Sequence, residues 1–194
     1  MRSFLALEVS GPVADYLGGV IAGLSSRARD IKWVKRDAIH ITLKFFGEIE
    51  EALVGRLHDG LVPMASRFAP FVVSLKEIDA FPNRRRARVV IVRLDKGTEK
   101  MRSIYEAVEE ALTEFKFDRE AREYTAHITL GRARTPAPFP DGDLPSLEKM
   151  EFWVDGLVLF KSTLTPGGAI YTPMWKIKFG GDNDEGRSES NKSS

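Results

Sequence analysis

The sequence predicts an α+β protein with two lobes and a functional cleft between them, and two observations lead to this prediction. Helical and strand-like patterns alternate in two comparable halves of the chain. The tetrapeptide His-Ile-Thr-Leu occurs once in each half, at 40–43 and 127–130, and takes up two of the three histidines. The two copies begin 87 residues apart, which is close to half the length of the chain before its polar C-terminal tail.

The composition is that of a globular protein and excludes cysteine-based chemistry. The 194 residues are 43% hydrophobic and 29% charged, as in ordinary globular proteins. There is no cysteine, which excludes disulfides, thiol nucleophiles and thiolate-bound zinc. The first apolar run is interrupted at Glu8, too early for a secretory signal, and no later run approaches membrane-spanning length. We therefore expect a cytoplasmic protein with no membrane partner.

The first half is predicted to contain two helices and five strands. Pro12 suits the first turn of a helix, and Leu53, Leu57 and Leu61 recur at helical spacing in the second helix. The predicted order is a strand at 3–9, a helix from 12, strands at 31–34 and 39–46, a helix from about 50, and a hairpin of 71–80 with 86–94.

The second half repeats this style and ends in a polar tail. Its elements are predicted as a helix at 98–115, a strand at 124–132, a proline-rich loop at 136–145, and strands at 151–161 and 169–179. Residues 180–194 hold four acidic and two basic side chains and almost no apolar ones. We expect a single domain over 1–179 and a disordered tail over 180–194.

Each tetrad reads as a strand with one apolar and one polar face. A period of two places His40 and Thr42 on one face and Ile41 and Leu43 on the other. The second copy likewise separates His127 and Thr129 from its apolar pair. Two such strands facing each other across a cleft would bring two imidazoles and two hydroxyls to one small anionic group.

This arrangement suits acid–base chemistry on a phosphodiester. One neutral imidazole can take a proton from a nucleophile while the other, protonated, donates to the leaving oxygen, since the ordinary pKa of histidine is about 6.5. We expect a bell-shaped pH dependence with two groups titrating near neutrality. The threonine hydroxyls would donate to non-bridging phosphate oxygens. No metal or cofactor is expected, because two histidines supply at best half a zinc site and no glycine-rich phosphate loop is present.

Further side chains are less clearly placed by the pattern. Arg132 suits a phosphate, but strict alternation puts it opposite His127 unless a bulge or the strand end turns it. Phe45 has the same ambiguity, and would either stack on a base or pack. His58 is predicted to be a surface residue. The arginines at 84–86 and 88 would form either a solvated turn or an RNA contact.

Three segments carry a resemblance to a known family. They are IKWVKRDAIHITLKFFGE at 31–48, EYTAHITLGR at 123–132 and LVLFKSTLTPGGAIYTPMWKIKF at 157–179. They resemble the 2H phosphoesterase superfamily, and specifically its RNA 2′,3′-cyclic phosphodiesterases, which are LigT-like and were once called 2′-5′ RNA ligases. The likeness covers about residues 2–179. Phe46 and Gly131 stand where the family pattern has Leu and Ala.

The resemblance implies a bilobal fold of two antiparallel sheets around a V-shaped groove, with helices outside. It also implies metal-free hydrolysis of 2′,3′-cyclic phosphates to 2′-phosphates, with O3′ as leaving group and weak reverse 2′-5′ ligation. By analogy His40 is the general acid and His127 the base, and Arg132 lies in the groove, although the two tetrads alone do not fix the order. The expected partners are RNA ends with cyclic phosphates or small nucleotides, and the expected state is a monomer.

Two other functions remain open at the level of sequence. One is a phosphodiesterase acting on 2′-5′ oligonucleotides or on an ADP-ribose cyclic phosphate. The other, from a different class, is a non-catalytic module that binds RNA ends. The duplicated histidine and threonine favour an enzyme, because binding alone does not need a paired acid and base.

Overall fold

The computed structural model describes residues 1–139, 144–166 and 168–180. These residues contain nine strands and three α-helices. The strands pair into two antiparallel sheets, so the predicted α+β class is confirmed. The predicted tail lies outside the described residues, apart from Gly180. The strands are β1 (Arg2–Glu8), β2 (Ile31–Trp33), β3 (His40–Glu48), β4 (Phe71–Phe81), β5 (Ala87–Leu94), β6 (His127–Ala137), β7 (Glu151–Val154), β8 (Gly156–Thr165) and β9 (Gly168–Lys178); the helices are α1 (Gly11–Ser25), α2 (Leu53–Ala65) and α3 (Thr98–Ala111).

The two sheets do not correspond to the two halves of the sequence. One sheet has the order β3-β1-β8-β9 and the other the order β2-β6-β5-β4-β7. The C-terminal hairpin β8–β9 therefore joins β1 and β3 in one sheet, and three strands of the first half, β2, β4 and β5, join β6 and β7 in the other. Each tetrad lies on a different sheet, with β3 at an edge and β6 between β2 and β5.

The single strand predicted at 151–161 is wrong. The structure divides it at Asp155 into β7, which pairs with β4, and β8, which pairs with β1 and β9. Gly156 is the first residue of β8, and a Cβ on it would lie 2.3 Å from the carbonyl oxygen of Ile177. A glycine at this position lets the chain begin its second strand in close contact with β9.

The helices contribute apolar stripes to one continuous hydrophobic cluster. The stripes of α1 and α2 follow the predicted spacing. The α-helix α3 ends at Ala111, and a 3-10 turn, Leu112–Phe115, replaces the last predicted turn while keeping Leu112 buried in the core. None of the described helices has the length and apolar character that crossing a membrane would require. Fully buried members of these stripes are Val13, Leu17, Leu57, Leu61, Met101, Ile104 and Val108.

Candidate active site

The two tetrads open β3 and β6 and follow the predicted facing. Ile41 and Ile128 are fully buried in the core, and the histidine and threonine of each copy are only partly buried. A groove of about 380 Å³ is lined by His40 together with both tetrad threonines. His127 lies just outside this lining, close enough for its charge to lower the pKa of His40.

A β-bulge follows the first tetrad's threonine. Two consecutive residues of β1 pair with Thr42 and Lys44, so Leu43 is an extra residue in β3. The extra residue reverses the alternation beyond it, which brings Phe45 to the face that carries Thr42. Phe45 lines the groove and is 55% exposed.

The second tetrad is followed by a bulge at the equivalent position. Two consecutive residues of β5 pair with Thr129 and Gly131, so Leu130 is the extra residue in β6. Arg132 is thereby moved to the groove face and lines the groove beside Thr129. The bulge that the alternation argument required for Arg132 is present.

The ring of His40 is held by one backbone and one side-chain hydrogen bond. Its Nδ1–H donates to the carbonyl oxygen of Ala38 at 2.8 Å, since a carbonyl can only accept. Nε2 lies 3.0 Å from Oγ1 of Thr42, and in the neutral ring it accepts the hydroxyl proton. The ring also packs against Phe4, with centroids 4.7 Å apart, and meets the edge of Tyr171 at 5.3 Å.

His127 has the same backbone anchor and different neighbours. Its Nδ1–H donates to the carbonyl oxygen of Thr125 at 2.7 Å, again two residues earlier in the chain. The ring meets Phe81 edge-on at 5.0 Å, and the guanidinium of Arg93 lies over that same phenyl ring at 5.8 Å. Arg93 is the β5 residue paired with His127, and the sequence pattern did not single it out because it does not reveal strand register.

Burial makes both imidazoles harder to protonate than an ordinary histidine. It lowers the pKa of His40 to about 4, with smaller contributions from the charges of Arg132 and His127. Burial also lowers the pKa of His127, assisted by Arg132 and Arg93. Without a ligand both rings are therefore mainly neutral at pH 7. A negative charge bound in the groove would raise both pKa values.

Tyr124 links the two tetrad strands directly. Its hydroxyl donates to the carbonyl oxygen of Thr42 at 3.3 Å, and its ring stacks on Tyr105 with centroids 4.3 Å apart. Burial raises the pKa of Tyr124, so the hydroxyl keeps its proton and remains a donor. The segment leading into His127 is thus hydrogen-bonded to the backbone of the first tetrad.

A buried ion pair lies behind the first tetrad. Lys44 and Glu109 are each 4% exposed, and their charged atoms are 2.8 Å apart. The Lys44 ammonium also donates to the carbonyl oxygen of Asp118 at 2.6 Å, and the Glu109 carboxylate accepts the backbone N–H of Glu120. This network joins β3 to the segment that precedes β6. It was not anticipated, because a lysine on a predicted strand is usually a surface residue.

The remaining basic candidates do not line the groove. His58, predicted as a surface residue, is 36% exposed beside Asp59, and its ring packs against Trp175. Arg84 pairs with Asp79, and the Asn83 side chain accepts the backbone N–H groups of the next two arginines. The start of the arginine cluster therefore stabilises its own turn. In the part of the chain that the structure describes, no three His, Asp or Glu side chains gather as a metal site.

Comparison with known proteins identifies the family. The family model described as the 2′-5′ RNA ligase superfamily matches residues 17–165. RNA 2′,3′-cyclic phosphodiesterase of Methanothermobacter thermautotrophicus is 29% identical over 179 residues, which are 90% of this chain and 96% of that protein. The enzyme of the same name from Aeropyrum pernix is 31% identical over 76% of this chain and 86% of its own length.

Solved structures show the same fold. A protein of Thermus thermophilus superposes with a TM-score of 0.80 at 26% identity, covering 94% of this chain and all of that one. Escherichia coli LigT complexed with 3′-AMP gives a TM-score of 0.71 at 18% identity, covering 92% of this chain and 97% of that one. The family resemblance carried by the tetrads is confirmed, and the chain belongs to the 2′-5′ RNA ligase superfamily of 2H phosphoesterases.

Proposed function

We propose that this protein is an RNA 2′,3′-cyclic phosphodiesterase in which two histidines act as acid and base without a metal. One observation carries the proposal. In each tetrad the imidazole Nδ1–H is held by a carbonyl two residues earlier, so Nε2 of His40 and of His127 is the nitrogen available for proton transfer. The names of the curated relatives support the same reaction.

The proposed reaction is an in-line displacement at phosphorus. Nε2 of His127 takes a proton from water as the water oxygen attacks and forms a new P–O bond. The P–O3′ bond breaks, and Nε2–H of His40 donates its proton to O3′. The product is a 2′-phosphate with a free 3′-hydroxyl, and one proton has moved from His40 to the product while His127 has gained one from water.

Substrate charge has to assist His40. A ring whose pKa is lowered to about 4 is neutral at pH 7, so it needs an anion nearby to become an acid. The cyclic phosphate supplies a negative charge, which stabilises the imidazolium and raises its pKa. Binding also has to replace the contact between Nε2 and Thr42, because O3′ takes that position when the proton is transferred.

Neighbouring groove residues are proposed to bind the phosphate and the nucleobase of the substrate. Thr129 and Arg132 line the groove on the β6 side and would bind the non-bridging oxygens, where charge develops during attack. Thr42 would add a third donor once His40 is protonated, because its hydroxyl proton is then no longer bound by Nε2. Phe45, on the β3 side, would stack on the nucleobase.

The functional unit is proposed to be a single domain over 1–179 that works as a monomer in the cytoplasm. One hydrophobic cluster extends from Leu5 to Phe179 and includes residues of both sheets, which supports a single folding unit. The mildly positive groove, with two arginines in its lining, suits RNA ends or small nucleotides.

The test is turnover of a nucleoside 2′,3′-cyclic phosphate by metal-stripped protein. Wild type and the His58→Ala control, whose histidine lies outside the groove, should form a 2′-phosphate. His40→Ala and His127→Ala should each lose about 10²–10⁴ in rate, the usual contribution of one acid or base. Loss of wild-type activity on adding EDTA would contradict the metal-free scheme. Tight binding of RNA ends without turnover would favour the binding module instead.

A further inference from the structure

The groove is lined by a second arginine besides Arg132, which is Arg2 at the start of β1. We propose that Arg2 binds the phosphate on the 5′ side of the nucleoside whose 2′,3′-cyclic phosphate occupies the tetrads. This inference rests on the proposed function and names a feature of its substrate: a phosphate at the 5′ oxygen, in addition to the cyclic one.

The strand geometry places Arg2 on the groove face. Alternate residues of a strand share a face, and Phe4, two residues further along β1, contacts both His40 and Tyr171. At about 3.4 Å per residue, the Cα of Arg2 lies roughly 7 Å along β1 from that of Phe4. Arg2 itself lines the groove.

The strands beside Arg2 leave space for a ligand. Arg2 pairs with Glu48 on β3, and the preceding β3 residue, Gly47, has no side chain. On the other side, Ser3 pairs with Lys161, which brings Ser162 of β8 next to Arg2 in the antiparallel register. Gly47 and Ser162 both line the groove, so the strands on either side of β1 offer an open backbone position and a small hydroxyl donor near Arg2.

The Arg2 charge is available to a ligand. Arg2 is exposed, and among the described residues no carboxylate lies within ion-pair distance of it. Its strand partner Glu48 pairs instead with the N-terminal ammonium at 3.0 Å. The described residues that line the groove include no acidic side chain, and the two arginines among them are Arg2 and Arg132.

The groove that contains the two arginines also has an apolar surface. Its aromatic and aliphatic members include Phe4, Phe45, Leu164 and Tyr171. Two cations and an apolar surface in one groove are complementary to the two phosphates and the nucleoside at the 3′ end of an RNA. A terminal nucleoside carries the cyclic phosphate on O2′ and O3′, and its O5′ carries the phosphodiester to the preceding nucleotide. A guanidinium can bind such a phosphate through two parallel N–H bonds.

The experiment compares substrates that differ only at O5′. The reference is adenosine 2′,3′-cyclic phosphate with a free 5′-hydroxyl. The two extended substrates are its 5′-phosphorylated form and the dinucleotide ApA ending in a 2′,3′-cyclic phosphate, which separate a phosphomonoester from the phosphodiester of RNA. The measured quantity is the ratio of kcat/KM for each extended substrate to that for the reference.

Arg2→Gln should lower this ratio about tenfold for at least one extended substrate, as expected for loss of one charged phosphate contact. Arg2→Lys should restore part of it, because the charge is kept. Arg67→Gln, which removes an exposed arginine outside the groove, should leave the ratio as in wild type. Thermal melting of each variant checks folding. An unchanged ratio in Arg2→Gln, or an equal loss on all three substrates, would overturn the proposal.

A binding measurement keeps the inference separate from the reaction. Wild type should bind adenosine 2′,5′-bisphosphate more tightly than adenosine 2′-monophosphate, and Arg2→Gln should remove most of that difference. If no cyclic phosphate is turned over, the proposed reaction fails, and this comparison alone decides the role of Arg2. Equal affinity of wild type for the two nucleotides would contradict a 5′-phosphate site.

Discussion

The strands β3 and β6 begin with the same four residues and build different halves of one groove. Each holds its imidazole by a carbonyl two residues earlier, and each has a bulge directly after its threonine. Behind the bulge, β3 has the buried Lys44 and β6 has Gly131, where a Cβ would lie 2.6 Å from the Ile31 side chain. Beyond the bulge, β3 places the ring of Phe45 in the groove, and β6 places the guanidinium of Arg132 there.

From this difference we infer that the tetrads carry out the proposed chemistry, whereas the residues that follow them determine what each side of the groove binds. The β3 side is enclosed by rings, with His40 packed between Phe4 and Tyr171. The β6 side has the guanidinium groups of Arg132 and of Arg93, which pairs with Asp79, and the charges of both lower the pKa of His127. We propose that the first side holds the nucleoside and the second holds the phosphate.

The largest expected effect concerns the buried residue behind the β3 bulge. Lys44→Met leaves the Glu109 carboxylate buried without its ammonium partner, which should cost about 3–5 kcal/mol of the free energy of unfolding. The double variant Lys44→Met with Glu109→Leu should recover much of this loss, because it leaves no buried charge. Chemical denaturation of wild type, the two single variants and the double variant measures it. A double variant no more stable than Lys44→Met would show that the pair does not act as a unit.

The next effect concerns the residue after the β6 bulge. Arg132→Gln removes the cation proposed to bind the non-bridging oxygens and should lower kcat about 10²–10³-fold. Arg134→Gln is the matched control, since that arginine is exposed on the same strand and does not line the groove. Steady-state kinetics on a nucleoside 2′,3′-cyclic phosphate decides the point. A similar loss in both variants would mean that general positive charge, and not a specific contact, is required.

The pH dependence sharpens the comparison of the two imidazoles. The scheme needs one ring neutral and the other protonated, so kcat/KM is highest between the two pKa values of the free enzyme. Both pKa values are lowered from 6.5, that of His40 to about 4, so the maximum should lie below pH 6.5. Above it, kcat/KM should fall about tenfold per pH unit, as the protonated fraction does.

The profile of kcat should have its maximum at higher pH, because the bound phosphate anion raises both pKa values. Arg132→Gln should move the kcat/KM maximum upward, since the Arg132 charge lowers the pKa of each histidine. Coincident maxima for kcat and kcat/KM would contradict a role for substrate charge in protonating His40.

The smallest expected effect concerns the aromatic side. Phe45→Ala should raise KM about tenfold with little change in kcat, as expected when the nucleobase of the substrate loses one stacking partner. Trp153→Ala is the control, because that ring is 66% exposed and lies outside the groove. An effect on kcat as large as that on KM would show that Phe45 positions His40 or the phosphate instead of the base.

Much of the fold was predictable from local pattern, and the exceptions have physical causes. The stripes of α1 and α2 and the facing of both tetrads follow from periods of 3.6 and 2, which the sequence displays directly. The division of 151–161 at Asp155 was not predictable, because β7 and β8 are distinguished by their pairing partners and the sequence does not show strand pairing. The distribution of strands from both halves of the sequence over both sheets was not predictable for the same reason.

For the candidate site, the sequence by itself was enough to select the two histidines and two threonines as candidates and to indicate the family, since a duplicated tetrapeptide is visible without a structure. Tertiary structure alone decided on which face Phe45 and Arg132 lie, because a single extra residue in each strand reverses the alternation. It also decided that both imidazoles are neutral at pH 7 without a ligand, and that Phe4, Tyr171 and Arg93 surround them. Burial, register and contacts between distant segments set these properties, and none of them is encoded in the spacing of nearby residues.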